Sequence, residues 1–100
     1  MRVRFTQSGG FAGTVRRCTL DTSTMDKDEA GALEALVRKA ALSTSRHVLS
    51  ASGRDLEEYE IALDDDGRSA TVVYDQSTLP ADAKALVGYL KKSARPGTLE

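Results

Sequence analysis

The residue types that carry most enzyme chemistry are scarce in this chain of 100 residues. It has one cysteine, Cys18, and one histidine, His47, and they lie on unrelated segments. A general base needs a matched nucleophile or acid and an orienting group nearby, and the polar segment around His47 offers no such set. A structural zinc site takes four ligands, usually Cys and His, which two residues cannot supply. We therefore expect no catalytic site, no metal and no other cofactor.

A glycine-rich string is the second candidate for chemistry. Ser8–Gly13 contains three glycines in six residues, which favours a turn or a shaped loop because glycine adopts positive φ freely. The string does not match the P-loop pattern, and a strand pattern follows it, so no helix N-terminus would face a phosphate there. Its aromatic residue, Phe11, has two interpretations. It folds back onto the core, which the residue type alone favours, or it projects as a binding anchor.

The charge balance excludes one class of partner. Lys plus Arg total 14 and Asp plus Glu total 15, a formal net charge of -1, whereas nucleic-acid binding needs a basic face. Four arginines are concentrated in the first two predicted strands: Arg2, Arg4, Arg16 and Arg17. We interpret them as solvated charges that protect an exposed edge strand from pairing with other chains.

Hydrophobic alternation predicts four strands. They span Met1–Gln7, Thr14–Asp21, Leu56–Asp64 and Arg68–Asp75. The glycine string would join the first two strands as a hairpin. The acidic run that ends at Asp66-Gly67 predicts a tight turn between the last two, since Asp-Gly supplies positive φ. That run lacks the alternating acids and the terminal Glu of a calcium-binding EF-hand loop.

Apolar residues at helical spacing predict two helices. The first runs from Asp26, its N-cap, to near Leu42, and Met25 would pack on it as a hydrophobic staple. The second follows Thr78, which can cap it, and has Pro80 in its first turn. Residues 43–54 show neither period and predict a long connection.

The predicted order is therefore ββαββα. Two hairpins would form a four-stranded, mostly antiparallel sheet with both helices on one face, an α+β fold. We expect a single domain at residues 1–93 and a flexible C-terminal tail at residues 94–100. No apolar run has the length of a signal peptide or a membrane span, and one cysteine makes no internal disulfide. These features predict a cytoplasmic protein with a reduced thiol.

The sequence resembles the emfourin family. The specific likeness is the string Ser8–Gly13, which follows a near-N-terminal strand and precedes Arg16-Arg17. An alanine-rich, acidic helix over 26–41, a tyrosine-bearing hairpin over 59–74 and a Leu-Pro segment with a short helix over 79–90 extend the likeness to most of residues 1–92. The chain departs from the family pattern at Cys18, where an aromatic is expected, and at Met25-Asp26, where Leu-Pro is expected.

The resemblance implies a small protein inhibitor of thermolysin-like (M4) metallopeptidases. Such an inhibitor fills the zinc-containing cleft without being cut, with a backbone segment near the zinc and an apolar side chain in the specificity pocket. The implied partner-binding residues are Met1, Ser8, Gly9, Gly10, Phe11, Ala12, Gly13 and Met25. We hypothesise that these segments meet at one edge of the domain, although Met25 is equally well explained as the helix staple.

A second function stays open. The chain would then be a non-enzymatic adaptor with another protein partner. Neither hypothesis involves a nucleic acid or a membrane, and the residues leave the oligomeric state open.

Overall fold

In a computed structural model of the chain, residues 1–9, 15–42, 45–49 and 56–96 are described. The strands are β1 (Arg2–Gly9), β2 (Arg16–Asp21), β3 (Arg46–Val48), β4 (Glu57–Asp65), β5 (Arg68–Asp75) and β6 (Arg95–Pro96). The helices are α1 (Lys27–Ala40) and α2 (Ala81–Ser93), and a 3-10 turn over Thr22–Thr24 precedes α1. These elements confirm the predicted α+β class.

One mixed sheet contains all the strands of the described residues, in the order β3-β5-β4-β1-β2-β6. Both predicted hairpins are present, and β1 joins them because it pairs antiparallel with β2 on one side and with β4 on the other. The prediction of a four-stranded sheet is wrong, since a short strand extends each edge. β3 runs parallel to β5, and β6 runs antiparallel to β2.

β3 lies in the segment that was predicted to be a connection. Its three residues are all exposed, so no alternation of apolar and polar residues marks it in the sequence. Partners from outside the strand hold it in place. The Thr78 hydroxyl donates to the Val48 carbonyl at 2.6 Å, and the Thr71 amide donates to the Ser45 hydroxyl at 3.0 Å. Such an edge strand depends on tertiary contacts, which no local pattern reports.

β6 lies in the segment that was predicted to be a tail. Ala94 is buried and its amide donates to the Leu90 carbonyl at 2.9 Å, which ends α2. Arg95–Pro96 then pair with the first two residues of β2. Residues 97–100 lie outside the described residues, so a flexible tail stays a prediction there.

Both helices begin without the side-chain caps that the sequence predicts. Asp26 and Pro80 hold the N-cap positions of α1 and α2, and neither makes a side-chain cap hydrogen bond. Thr78, the predicted cap of α2, accepts from the Asp75 amide at 3.0 Å and donates to β3 instead. The threonine therefore ties the end of β5 to the edge strand and does not cap the helix.

The core lies between the two helices and one face of the sheet. Phe5 of β1, Ile61 of β4 and Val72 of β5 are paired across the sheet and fully buried. Leu33 of α1 and Leu86 of α2, each 0% exposed, pack in the same apolar cluster. Because the sheet contributes alternate residues to this cluster, both helices cover the same face, as predicted. The other face of the sheet carries mainly polar side chains, among them Arg4, Thr6 and Glu60.

Truncation of a core leucine should be far more costly than truncation of an exposed one. We expect Leu86→Ala to lower the free energy of unfolding by about 2–5 kcal/mol, because it leaves a cavity beneath α2. The matched control is Leu49→Ala, at a side chain that is 40% exposed, where we expect a loss below about 1 kcal/mol. Denaturant unfolding measures both, and equal losses would show that α2 does not cover the core.

Candidate partner-binding site

The predicted partner-binding residues fall at opposite ends of β1. Met1 precedes the strand and lies beside the turn that leads to Met25, whereas Ser8 and Gly9 end the strand. Eight residue steps along the extended strand separate Met1 from Gly9 by about 26 Å. The hypothesis that these segments meet at one edge is therefore wrong for the described residues. Gly10, Phe11, Ala12 and Gly13 lie outside the described residues.

The methionine end is packed into the domain itself. The Met1 carbonyl accepts hydrogen bonds from the Thr22 amide at 2.9 Å and the Thr22 hydroxyl at 3.2 Å. The Met1 amine lies 3.9 Å from Asp65 Oδ1, and the side chain is only 10% exposed. Met25 is half-buried and packs against the apolar core. Both methionines therefore stabilise the fold, and this agrees with the staple interpretation of Met25.

The same end holds an open apolar groove of about 540 Å³ that the sequence does not reveal. α1 contributes Val37 and Leu42 follows it, while Leu63 and Ala70 come from the second hairpin. Met1 completes the lining. Because these side chains come from three separate parts of the chain, no local spacing marks the groove.

The last residue of β1, Gly9, has a backbone conformation that only glycine adopts without strain. Gly9 has a φ of +84°, in the left-handed region that side chains with a Cβ rarely adopt. A Cβ at this position would lie 2.9 Å from the Leu56 carbonyl oxygen, closer than atoms normally approach. Gly9 also pairs with Glu57 at the start of β4. The first part of the glycine string is therefore fixed against the neighbouring strand.

A polar cluster beside Gly9 connects β1, β4 and α2. Gln7 Nε2 donates to Glu57 Oε2 at 2.6 Å, and the Tyr59 hydroxyl donates to Glu57 Oε1 at 3.0 Å. Lys91 of α2 places its Nζ 3.6 Å from Glu57 Oε1 and 4.9 Å from the centre of the Tyr59 ring. The Tyr59 ring in turn stacks on Phe5, with centroids 6.2 Å apart. Glu57 is the acceptor that holds the cluster together.

The electrostatics of the cluster favour its charged form. Partial burial of Glu57 acts to raise its pKa, but hydrogen bonds from Tyr59 and Gln7 and the charge of Lys91 outweigh burial and lower it. For Lys91, partial burial acts to lower the pKa, and the contacts with Tyr59 and Glu57 raise it. Burial is also the largest cause that raises the pKa of Tyr59. At neutral pH the cluster is therefore a carboxylate, an ammonium and a neutral phenol.

Cys18 and His47, the two residues whose chemistry is most typical of catalysis, are not brought together. Cys18 is half-buried on β2, where its thiol donates to the Leu90 carbonyl at 3.6 Å and burial raises its pKa. His47 is exposed on β3, at the opposite edge of the sheet from β6. Among the described residues, no cluster of three His, Cys, Asp or Glu could hold a metal ion. No helix in this part of the chain has the length and hydropathy to cross a membrane.

Comparison with known proteins identifies the family. The Emfourin family model matches residues 5–91, which cover the glycine string and Met25 but not Met1. This chain belongs to the Emfourin family. Members of that family inhibit M4 metallopeptidases. No match was found among the curated proteins or among the solved structures. In this Emfourin-family protein the glycine string lies within the matched range, and its first two residues, Ser8 and Gly9, are paired with β4.

Substitution of Gly9 tests whether the start of the loop is fixed by its neighbour. Gly67 has almost the same φ, +83°, but no atom lies within 4 Å of its Cβ position. We expect Gly67→Ala to lower the free energy of unfolding by about 1–2 kcal/mol through backbone strain alone. Gly9→Ala should lose more, because the methyl group also meets the Leu56 carbonyl. Denaturant unfolding of both variants gives the difference, and a smaller loss at Gly9 would contradict the contact.

The pH dependence of stability should report on Glu57. A carboxylate whose pKa is lowered by folding stabilises the protein above its unfolded pKa, near 4.3, and this stabilisation disappears as pH falls through the folded pKa. We therefore expect Glu57→Gln to be less stable than the wild type at pH 7, with the difference shrinking below about pH 4.

Denaturant unfolding from pH 3 to 7 measures that difference. Asp21, whose pKa is also lowered, contributes equally to both proteins and cancels. A difference independent of pH would show that the charge of Glu57 has no part in the effect.

Proposed function

We propose that this protein inhibits a thermolysin-like (M4) zinc metallopeptidase by blocking its active-site cleft, and that it is not an enzyme. Family membership over residues 5–91 is the observation that carries the proposal. The proposal keeps the cytoplasmic location that the lone cysteine suggests.

The segment Ser8–Gly13 is the part that we propose enters the cleft. Two observations support it over Met1 and Met25. Both methionines pack against the core of the domain, so their side chains are committed to the fold. Gly9, by contrast, is the second residue of the string and is exposed, with its backbone fixed against β4. In this proposal Phe11 is the apolar side chain that fills the specificity pocket.

In this proposal, resistance to cleavage comes from the way the first two residues of the string, Ser8 and Gly9, are held. The hydrogen-bonded pairing of β1 with β2 and β4 fixes the strand as far as Gly9, and the Glu57 cluster fixes Gln7. A segment held in this way loses less conformational entropy on binding than a free peptide. In this proposal, anchorage of its first residues in the sheet also hinders rearrangement into the geometry that hydrolysis requires. Tight binding without turnover is the expected result.

Titration of a purified M4 peptidase with this protein tests the proposal. We expect loss of peptide cleavage at a one-to-one ratio. Phe11→Ala should weaken inhibition by about thirtyfold, the effect of losing a hot-spot side chain worth about 2 kcal/mol. Met25→Ala is the control variant, because it also truncates an apolar side chain within residues 5–91, the part of the chain that matches the family. It should lower stability and leave inhibition within about threefold.

Two results would contradict parts of this proposal. If several M4 peptidases keep full activity beside the folded protein, the adaptor hypothesis with another protein partner replaces the inhibitor. If Met25→Ala abolishes inhibition in a folded protein while Phe11→Ala has no effect, the inhibitory surface is the methionine end.

A further inference from the structure

Two arginines lie directly opposite each other at one edge of the sheet. Arg17 of β2 and Arg95 of β6 are register partners, and both side chains are exposed. Directly opposite residues project from the same face, with Cβ atoms about 5 Å apart. Arg17 also faces Thr6, so this is the polar face that the helices leave uncovered. Like charges at such a position destabilise a sheet.

No carboxylate within the described part of the chain neutralises this pair. The arginines of β1 on the same face have acidic partners. Arg2 Nη2 lies 4.0 Å from Asp21 Oδ2, and Arg4 Nη2 lies 3.8 Å from Asp64 Oδ2. Arg17 and Arg95 form no such ion pair with the described residues. Glu60 is the nearest acid along their row, but it lies across Thr6, two strands and about 10 Å from Arg17.

Protection of an exposed edge explains Arg95, which lies on the edge strand β6, but it does not explain Arg17. The sequence interpretation assigned the arginines of β1 and β2 to such a role, but β1 is an interior strand. β2 is covered by β6 at Arg16 and Arg17 themselves. The guanidinium of Arg16 even strengthens that cover, since it donates to the Ala94 carbonyl at 3.3 Å. The fold thus places two like charges opposite each other at its edge, an arrangement that costs stability in a sheet.

We propose that the Arg17–Arg95 pair is a docking site for carboxylate side chains on the surface of the peptidase partner. The identity of the partner rests on the proposed function. The position suits it, because Arg16 pairs with Gln7 beside the start of the glycine string. Two adjacent guanidinium groups bind carboxylates through paired hydrogen bonds, and an acidic partner would remove the repulsion between them. The formal net charge of -1 makes nucleic acid the less favourable anion.

The test compares two double variants with the same change in net charge. Arg17→Gln with Arg95→Gln removes the pair. Arg46→Gln with Lys84→Gln removes two exposed cations from the far edge strand and from α2. At low ionic strength the first variant should associate with the peptidase about tenfold more slowly than wild type, with little change in dissociation. The control variant should associate at the wild-type rate.

Thermal stability of the same variant should change in the direction opposite to its association rate. Removal of the pair should raise the midpoint of thermal unfolding while it slows association, because the repulsion is lost together with the docking site. A midpoint that stays the same or falls, or equal slowing in the two variants, would overturn the proposal.

A probe that needs no peptidase separates this inference from the proposed function. Poly-L-glutamate should shift the backbone amide resonances of Arg17 and Arg95 in the wild type, and the pair variant should lose this response. If wild type fails to inhibit M4 peptidases but shows these shifts, the inhibitor proposal fails and the acid-binding site stands. Shifts spread evenly over the protein, or tighter binding of single-stranded DNA at the same residues, would overturn the site as one for acidic proteins.

Discussion

The pairing of β1 with β2 on one side and β4 on the other is the interaction on which the rest of this structure depends. It connects two hairpins that are separate in the sequence and makes β1 an interior strand. Only then do Val3 and Phe5 become fully buried, since each needs a strand on both sides and helices above. The same pairing places the alternate residues of β1, such as Arg4 and Thr6, in the middle of the polar face of the sheet.

This arrangement gives the two ends of β1 different roles. At the start of the strand, Met1 and Met25 pack inward and help to close the core. At its end, Gly9 meets the Leu56 carbonyl, and Glu57 gathers Gln7, Tyr59 and Lys91 around one carboxylate. The proposed inhibitory segment continues from this fixed end of the strand. The Glu57 cluster therefore stabilises the fold and also holds the strand end from which the proposed inhibitory segment continues.

Much of the fold could be predicted from local patterns. Val3 and Phe5 alternate with arginines, and this alternation marks a half-buried strand; Asp66-Gly67 marks a tight turn that the structure contains. The short edge strands could not be predicted, because their residues show no apolar period and are held by distant groups such as the Thr78 hydroxyl. The cap predicted at Thr78 was wrong for the same reason: a better partner lay elsewhere in the fold.

The sequence by itself determined the main strands, the two helices, the α+β class and, through the glycine string, the resemblance to the emfourin family. Tertiary structure alone decided that Met1 and Gly9 lie at opposite ends, that Glu57 anchors a cluster from three elements, and that Arg17 meets Arg95. The physical reason is the separation along the chain of the residues that interact. Hydrophobic period and glycine conformation act between neighbours in the chain, whereas contacts between charges and edge strands depend on which distant segments the sheet brings together.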